Sequence, residues 1–588
     1  MAEATRGESG LIRLSAVALD YDGTIAVDGM LDPTVGEVLA EVRRTDVSVI
    51  LVTGRRMDDL RRLIGDLQLF DAIVAENGAV IVHPATGRST LLVEPPPPFF
   101  VQELKKRGID VAAGQCVIEA DEREASRILS VIRALELPLV MIFNRGRLMV
   151  LPQAVSKATG LQAALATLRL SVHNTLAIGD AENDHALLSV CEVGVAVSWG
   201  SLALQRAADL VLEGAGPGDV GNYIRRVVAS RRLPAVPAVR RRLLLGLQED
   251  GSELSLAVRG RSILISGDPK SGKSWIAGLL CEQFILQGYS VFVIDPEGDY
   301  TSLEALPGVL VFGEEKFPPP LTEFTRMLHH HDTSIVADLS LMPPAEKTRY
   351  VRSLLHLLAS HRRRTGLPHR IVVDEAHYFL HDPDVLQLVD LNLSGYVLVT
   401  YRVAQLHPQI LAASEAIIIS RETDPEELRA LLKLHQLQQS EEQLAPILRD
   451  LSLEEGVLFP GVEEAGGSLR RFRVAPRLSF HVRHRHKYVD VPVSGDQAFV
   501  FIDGIHRLVR TRTLKEFTDT LATIPLESAR GYLDRHDFSR WIEQVFGDYA
   551  LAAQIGELEN RNRTDQGSAI RDAIIQLIRE RYTLEEPQ

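Results

Sequence analysis

Residues 262–274 read SILISGDPKSGKS, and WIAGLLCEQFI follows directly. An apolar run enters a glycine-bearing loop, and the loop enters an apolar helix pattern. This junction restricts the fold more than any other stretch of the chain. The spacing G-x-x-x-x-G-K-S wraps backbone N–H groups around a phosphate, and it does so where a buried strand feeds a helix N-terminus. Gly267 and Gly272 let the backbone turn inward, Lys273 reaches the outer phosphate oxygens of a nucleotide, and Ser274 offers its hydroxyl to Mg²⁺. Asp268, Pro269, Lys270 and Ser271 fill the loop between them. The fold class that satisfies this is α/β with parallel strands.

The runs VFVID (291–295), SIVADL (334–339), RIVVDE (370–375), YVLVT (396–400) and AIIIS (416–420) read as further strands of the same sheet. The acid paired with the loop selects the reaction. Asp374 ends an apolar strand, where a carboxylate serves Mg²⁺, and Glu375 follows at once, placed to orient a water against a γ-phosphate. That combination points to ATP hydrolysis. A kinase would instead aim an acid at an acceptor hydroxyl and add an arginine-rich lid.

About 100 residues separate the loop from VVDEAH, and VFVIDPEGDY (291–300) lies between them. This arrangement resembles the HerA/FtsK group of RecA-like ATPases over residues ~245–460. YVLVTYRVAQL (396–406) is similar to the group's next strand, which commonly reads T-Q-R-P. Thr400 and Arg402 match, whereas Tyr401 stands for the glutamine and Val403 for the proline, so the group's γ-phosphate sensor is not matched at that position. The resemblance implies a ring in which each site borrows an arginine from its neighbour. Arg421 is the first candidate for that finger and Arg402 the second. A homo-oligomer follows, with a hexamer as the first expectation.

More than 240 residues earlier the chain reads LDYDGT, with Asp20 and Asp22 at the end of the apolar run LSAVAL (14–19). VSVILVT (47–53) and NTLAIGD (174–180) are matching strands, and PTVGEVLAEVRR and SKATGLQAALATL lie between strands as helical patterns. One carboxylate can attack a phosphoryl group, and a second can protonate the leaving alkoxide and later activate water. Anions meeting a phosphate need a cation, and Mg²⁺ takes carboxylates plus phosphate oxygens. Asp180, at another strand end, offers a further ligand, and Asp184 one turn later is placed to order the metal site. Thr53 can donate to a phosphate oxygen, with Gly54 and Asn183 placed beside the phosphate, and Lys157 at a helix start offsets the charge.

The set D-x-D-G-T, a strand-end Thr, a Lys and G-D-x-x-N-D resembles the haloacid dehalogenase superfamily. VAENGAVI (74–81) and LAIGDAENDHALL (176–188) are similar to its type IIB phosphatases, whose cap lies between the second and third motifs. The short cap is similar in size to that of archaeal phosphoglycolate phosphatases. The resemblance covers ~1–230. It implies Asp20 as nucleophile and Asp22 as general acid/base, with Asp20, the Asp22 carbonyl and Asp180 around Mg²⁺.

These readings divide the 588 residues into a Rossmann-like phosphatase core at 1–230 with an inserted α+β cap at ~81–154, a linker at 231–246, a RecA-like domain at 247–478 and a mostly helical module at 479–588. The net charge of −14 gives no global pull toward nucleic acid, and no apolar run is long enough to span a bilayer. Cys116, Cys191 and Cys281 are too few and too scattered for a disulfide framework, which suits the cytoplasm. HVRHRHKYVD (481–490) and LRRFRVAPR (469–477) are basic stretches able to meet a phosphate backbone, and Trp541 falls at core spacing with Phe538 and Val545. The expected function is a Mg²⁺-dependent phosphatase of small phosphorylated metabolites joined to an ATPase. The alternatives are a nucleic-acid end-processing or translocating protein, and an assembly protein controlled by ATP.

Overall fold

A computed structural model describes residues 12–144, 146–236, 240–258, 262–313, 320–435, 441–459, 469–479, 493, 498–502, 508–546, 548–561 and 567–582. HVRHRHKYVD lies outside them.

The first sheet has eight strands, in the order Leu210–Leu212, Val193–Val197, Thr175–Gly179, Ala16–Leu19, Ser48–Val52, Ala72–Ala75, Val80–His83 and Arg88–Leu91. The first six are parallel and the last two antiparallel. The central strands are buried on both faces, which is why they read as unbroken Val/Ile/Leu/Ala runs. The last two strands fall inside the stretch read as cap, yet they extend the core sheet. The insertion's own elements are a four-stranded antiparallel sheet, ending at Pro152, and the helices Pro98–Lys106 and Ala125–Ala134. A separate apolar cluster around Phe100, Leu104, Ile128 and Val131 holds them together.

The second sheet has eleven strands. Its parallel centre contains Ala416–Ile419, Ile263–Ser266, Tyr396–Thr400, Arg370–Val373, Val291–Asp295, Ser334–Asp338 and Val309–Phe312. Each strand read in this region is present, to within a residue or two at its end. Antiparallel strands extend one edge, and one of them, Arg242–Leu247, begins inside the stretch read as linker. The C-terminal module packs helices on the hairpin Phe499–Ile502 and Leu508–Thr511. Trp541 is core there, stacked on Phe517 with ring centroids 4.7 Å apart.

Candidate functional site

Three neighbouring strands deliver the N-terminal site. Ala16–Leu19 runs into Asp20, Thr175–Gly179 into Asp180 and Ser48–Val52 into Thr53. Asp184 returns to the same point, where its Oδ2 accepts the backbone N–H groups of Asp180 and Ala181, each at 3.1 Å. Gly179 makes that return possible, because a Cβ on it would lie 2.7 Å from the Asp184 Cβ. Lys157, first residue of its helix, donates from Nζ to Asp20 Oδ1 and to Asp184 Oδ1, both at 2.5 Å. Thr24 Oγ1 lies 3.4 Å from Asp20 Oδ2 and from Asp180 Oδ1.

Carboxylate oxygens of Asp20, Asp180 and Asp184 lie within 4.8 Å of one another, all on buried residues. One ammonium faces three acids. Burial, and then the charge of Asp184, raise the Asp20 carboxyl well above its usual range, although Lys157 works the other way. Burial alone would lower the Lys157 ammonium, but Asp184 and Asp20 outweigh it and raise it. Uncompensated negative charge in a dry pocket is what a hard divalent cation relieves, so these donors fit Mg²⁺.

The Asp22 carboxylate is not in that group. Arg55 holds it with Nε at 2.7 Å and Nη2 at 2.6 Å. Arg55 was not singled out in the sequence, although its place directly after Thr53-Gly54 is the signal that would have found it. Thr53 is buried and its Oγ1 accepts the Arg55 N–H at 3.1 Å, which leaves the hydroxyl hydrogen to be donated elsewhere. Asn183 lies on the turn Glu182–Asp184, and its buried Oδ1 has no partner among the described residues. A Cβ on Gly54 would meet the cap's Met149 Sδ at 3.2 Å, so the cap reaches over the strand end.

Glu76 ties the cap down. Its buried carboxylate accepts the N–H groups of Gln115, Cys116 and Val117 at 2.9, 2.6 and 2.9 Å. Gly114 precedes them with no room for a side chain, since a Cβ would sit 2.7 Å from Glu76 Oε1. Glu76→Ala would orphan three donors, and hydrogen bonds to a charged group are the strong ones. The expected loss is roughly 2–4 kcal/mol of local stability, read as faster amide exchange at 115–117 together with a lower melting temperature.

The second site surrounds the loop 267–274. Gly267 and Gly272 have φ of +149° and +97°, and Lys270 has +65°. A Cβ on Gly267 would lie 2.1 Å from Ser420 Oγ, so the loop is pressed against the end of the neighbouring strand. Ser271 Oγ and Ser420 Oγ share a hydrogen bond of 2.5 Å, and Asp268 accepts from Thr423 N at 3.1 Å and Oγ1 at 2.9 Å. Pro269 completes that turn, and Lys273 and Ser274 open the helix Lys273–Leu286. Lys273 Nζ donates to the Asp268 carbonyl at 2.8 Å. Burial lowers the Lys273 ammonium, and Glu375 and Asp374 push it back up. Asp374 is buried and raised well above the usual carboxylate range, by burial first and then by Glu375. Glu375 has φ +46°, and its Oε2 lies 3.5 Å from His377 Nδ1.

Tyr401, at the position of the missing glutamine, packs its ring between neighbours of this site. Lys273 Nζ lies 5.8 Å from its centroid, Arg402 Cζ 5.4 Å, and the His377 ring 4.5 Å. Arg421 Nε is 3.7 Å from Asp268 Oδ2 of its own chain. The basic stretch 469–477 is matched by acids: Arg471 pairs with Glu455, Arg473 with Glu454 and buried Arg477 with Glu282, at 2.8, 2.8 and 2.9 Å. Those three arginines are thereby committed within the chain.

The family model described as haloacid dehalogenase-like hydrolase matches residues 17–104 and 100–217, and that described as Helicase HerA, central domain, matches 248–367. A phosphoglycolate phosphatase of Haloarcula marismortui is 32% identical over 201 residues, which is 32% of this chain and 87% of that protein. One from Aeropyrum pernix is 28% identical over 255 residues, 39% of this chain and 99% of that protein. A haloacid dehalogenase-like hydrolase from Bacteroides thetaiotaomicron superposes with a TM-score of 0.33 at 17% identity, covering 37% of this chain and all 100% of its own. Among the described residues no helix is long and apolar enough to cross a membrane.

Proposed function

The N-terminal part of this chain belongs to the haloacid dehalogenase-like hydrolases and a HerA-type domain follows it, and from that premise we propose a Mg²⁺-dependent phosphatase of small phosphorylated metabolites joined to an ATPase. The observation that carries the phosphatase half is the buried group Asp20–Lys157–Asp184–Asp180, three acids against one ammonium, beneath a clamped cap.

In this reading Asp20 attacks phosphorus through one carboxylate oxygen and forms an aspartyl-phosphate, while the P–O bond to the leaving group breaks. Asp22 gives that oxygen its proton and later takes one from the water that attacks the intermediate. Arg55 must yield some of its grip for Asp22 to do so, since both carboxylate oxygens are engaged. Lys157 fixes the attacking carboxylate, and Thr53, Gly54 and Asn183 hold phosphoryl oxygens. Asp20, the Asp22 carbonyl and Asp180, with Asp184 behind them, would hold Mg²⁺, which when bound would supply positive charge where the two anions meet.

The cap, inserted between the strand that runs into Thr53 and the helix that begins at Lys157 as in type IIB enzymes, closes over the pocket and favours a small substrate such as a sugar phosphate or phosphoglycolate over a polymer. In the second domain the loop 267–274 holds ATP, Ser274 and Asp374 serve Mg²⁺, and Glu375 orients the attacking water. Buried, unbridged Cys116, Cys191 and Cys281 accord with a cytoplasmic setting.

A panel of sugar phosphates, phosphoglycolate and 3′-phosphorylated oligonucleotides tests the substrate class. Turnover is expected on small esters, at least tenfold above any oligonucleotide, and EDTA should abolish it. Preferred release from the oligonucleotides would transfer the chain to the end-processing class.

A further inference from the structure

The cap sheet turns one face to its own helices and the other to the catalytic core. Ile118, Ala120, Leu148 and Val150 join the apolar cluster of the cap helices, whereas Val117, Met149 and Leu151 join that of the first sheet. Alternation along the strand Ile118–Asp121 therefore puts Glu119 on the core face, where its register partner is Met149. Met149 is the residue that reaches Gly54, directly after Thr53. The cap strand Leu139–Asn144 lies against the turn that carries Asn183. Glu119 is thus a carboxylate that the cap presents to the catalytic side.

Glu119 is buried, and burial raises its carboxyl while Arg147, Arg56 and Arg55 work the other way. Arg147 of the cap donates to its Oε2 at 2.7 Å, and Arg56 of the core comes within 3.9 Å of the same oxygen. Among the described residues both contacts fall on Oε2, so Oε1 keeps its lone pairs for a ligand. The cations nearby already face acids. Arg55 grips Asp22 with two nitrogens, and Arg56 grips Asp59, its Nε and Nη2 each 2.9 Å from Oδ2. A substrate carboxylate arriving here would meet a carboxylate. To take Arg147 for itself it would leave Glu119 buried without its closest cation, which is costly. A hydroxyl group arriving here is a donor and finds an acceptor.

We propose that Glu119 sets the substrate class of the phosphatase site, accepting a hydrogen bond from a hydroxyl group of the leaving alcohol and rejecting an ester that carries a carboxylate there. This rests on the phosphatase reading above and narrows it, to sugar and polyol phosphates and away from phosphoglycolate. In-line attack by Asp20 sends the leaving group away from Asp20, toward Asp22 and the cap. There the ester's remaining groups meet Glu119. A buried acceptor selects strongly, because an analogue without the donor leaves it unpaired.

Matched pairs of esters test this on the full chain with Mg²⁺: glycerol 3-phosphate against 3-phosphoglycerate, and 2-hydroxyethyl phosphate against phosphoglycolate. Each pair exchanges a CH₂OH group for a carboxylate and nothing else. The alcohol member is expected to exceed its acid in kcat/KM by roughly tenfold or more. Glu119→Gln should narrow that ratio by a similar factor, because the amide carries no charge and can donate. Equal or reversed preference in the native chain, or a ratio that Glu119→Gln leaves unmoved, would overturn the role of Glu119. If Glu119→Gln does not fold, Arg147→Gln replaces it. Loss of the cation should widen the ratio, and a ratio that fails to widen rejects the proposal. p-Nitrophenyl phosphate, run alongside, separates the two readings. No release from it or from any of the four esters removes the phosphatase reading itself, whereas release with an even ratio removes only the part assigned to Glu119.

Discussion

Asp20→Asn should lower Mg²⁺-dependent phosphate release from p-nitrophenyl phosphate by on the order of 10⁴-fold or more, with no fall in melting temperature. The two halves of that expectation come from different features. Activity falls because an amide cannot form the acyl phosphate. Stability holds because Asn keeps the shape and the Oδ1 that accepts from Lys157 Nζ at 2.5 Å. The change also removes one of three crowded, buried carboxylates, and Asp20 is the one whose charged form burial and Asp184 disfavour. A melting temperature that rises slightly while turnover vanishes would match an acid kept for chemistry against its own cost. Unchanged turnover in the variant would remove the aspartyl-phosphate mechanism.

The parts legible in the sequence are those whose geometry is local. GDPKSGKS states its own turn, and the apolar strand before it states the sheet, so the loop, its helix and the parallel centre follow directly. Asp20 and the pair Asp180 and Asp184 are far apart in the chain but belong to motifs of fixed spacing, Lys157 is marked only by its place at a helix start, and the fold brings all four together. What stayed hidden depends on partners without such spacing. Arg55 meets Asp22 across 33 residues, and Glu76 meets Cys116 across 40. Neither pairing has a pattern of its own. Strands 80–83 and 88–91 fall almost wholly within the stretch read as cap yet extend the core sheet, and the prolines at 95–98 mark the exit from that sheet. His173 meets the Gln287 carbonyl of the second α/β domain across 114 residues, in a segment where the sequence offers only an ordinary strand start.

Glu375→Gln should bind ATP normally and hydrolyse it roughly 10²–10³-fold more slowly, whereas Lys273→Ala should weaken binding as well. Glu375 follows strand Arg370–Val373 in a left-handed conformation that a non-glycine residue adopts at a cost, which suggests a side chain held for use. Lys273 Nζ donates to the Asp268 carbonyl and feels the charges of Glu375 and Asp374. ATP replaces those partners with phosphate oxygens, so the amide at 375 leaves binding intact and removes only the base. Labelled γ-phosphate on a 5′-hydroxyl oligonucleotide would mark transfer and sink the hydrolase reading. The same variants address assembly. If sites in a ring borrow Arg421 from a neighbour, mixing Lys273→Ala chains with Arg421→Ala chains should restore part of the activity, because some interfaces then hold both intact halves. Arg421 already lies 3.7 Å from Asp268 of its own loop. Mixtures that stay dead, with each variant still assembling by light scattering, would therefore assign Arg421 to its own chain's nucleotide and leave Arg402 as the candidate for the neighbour's.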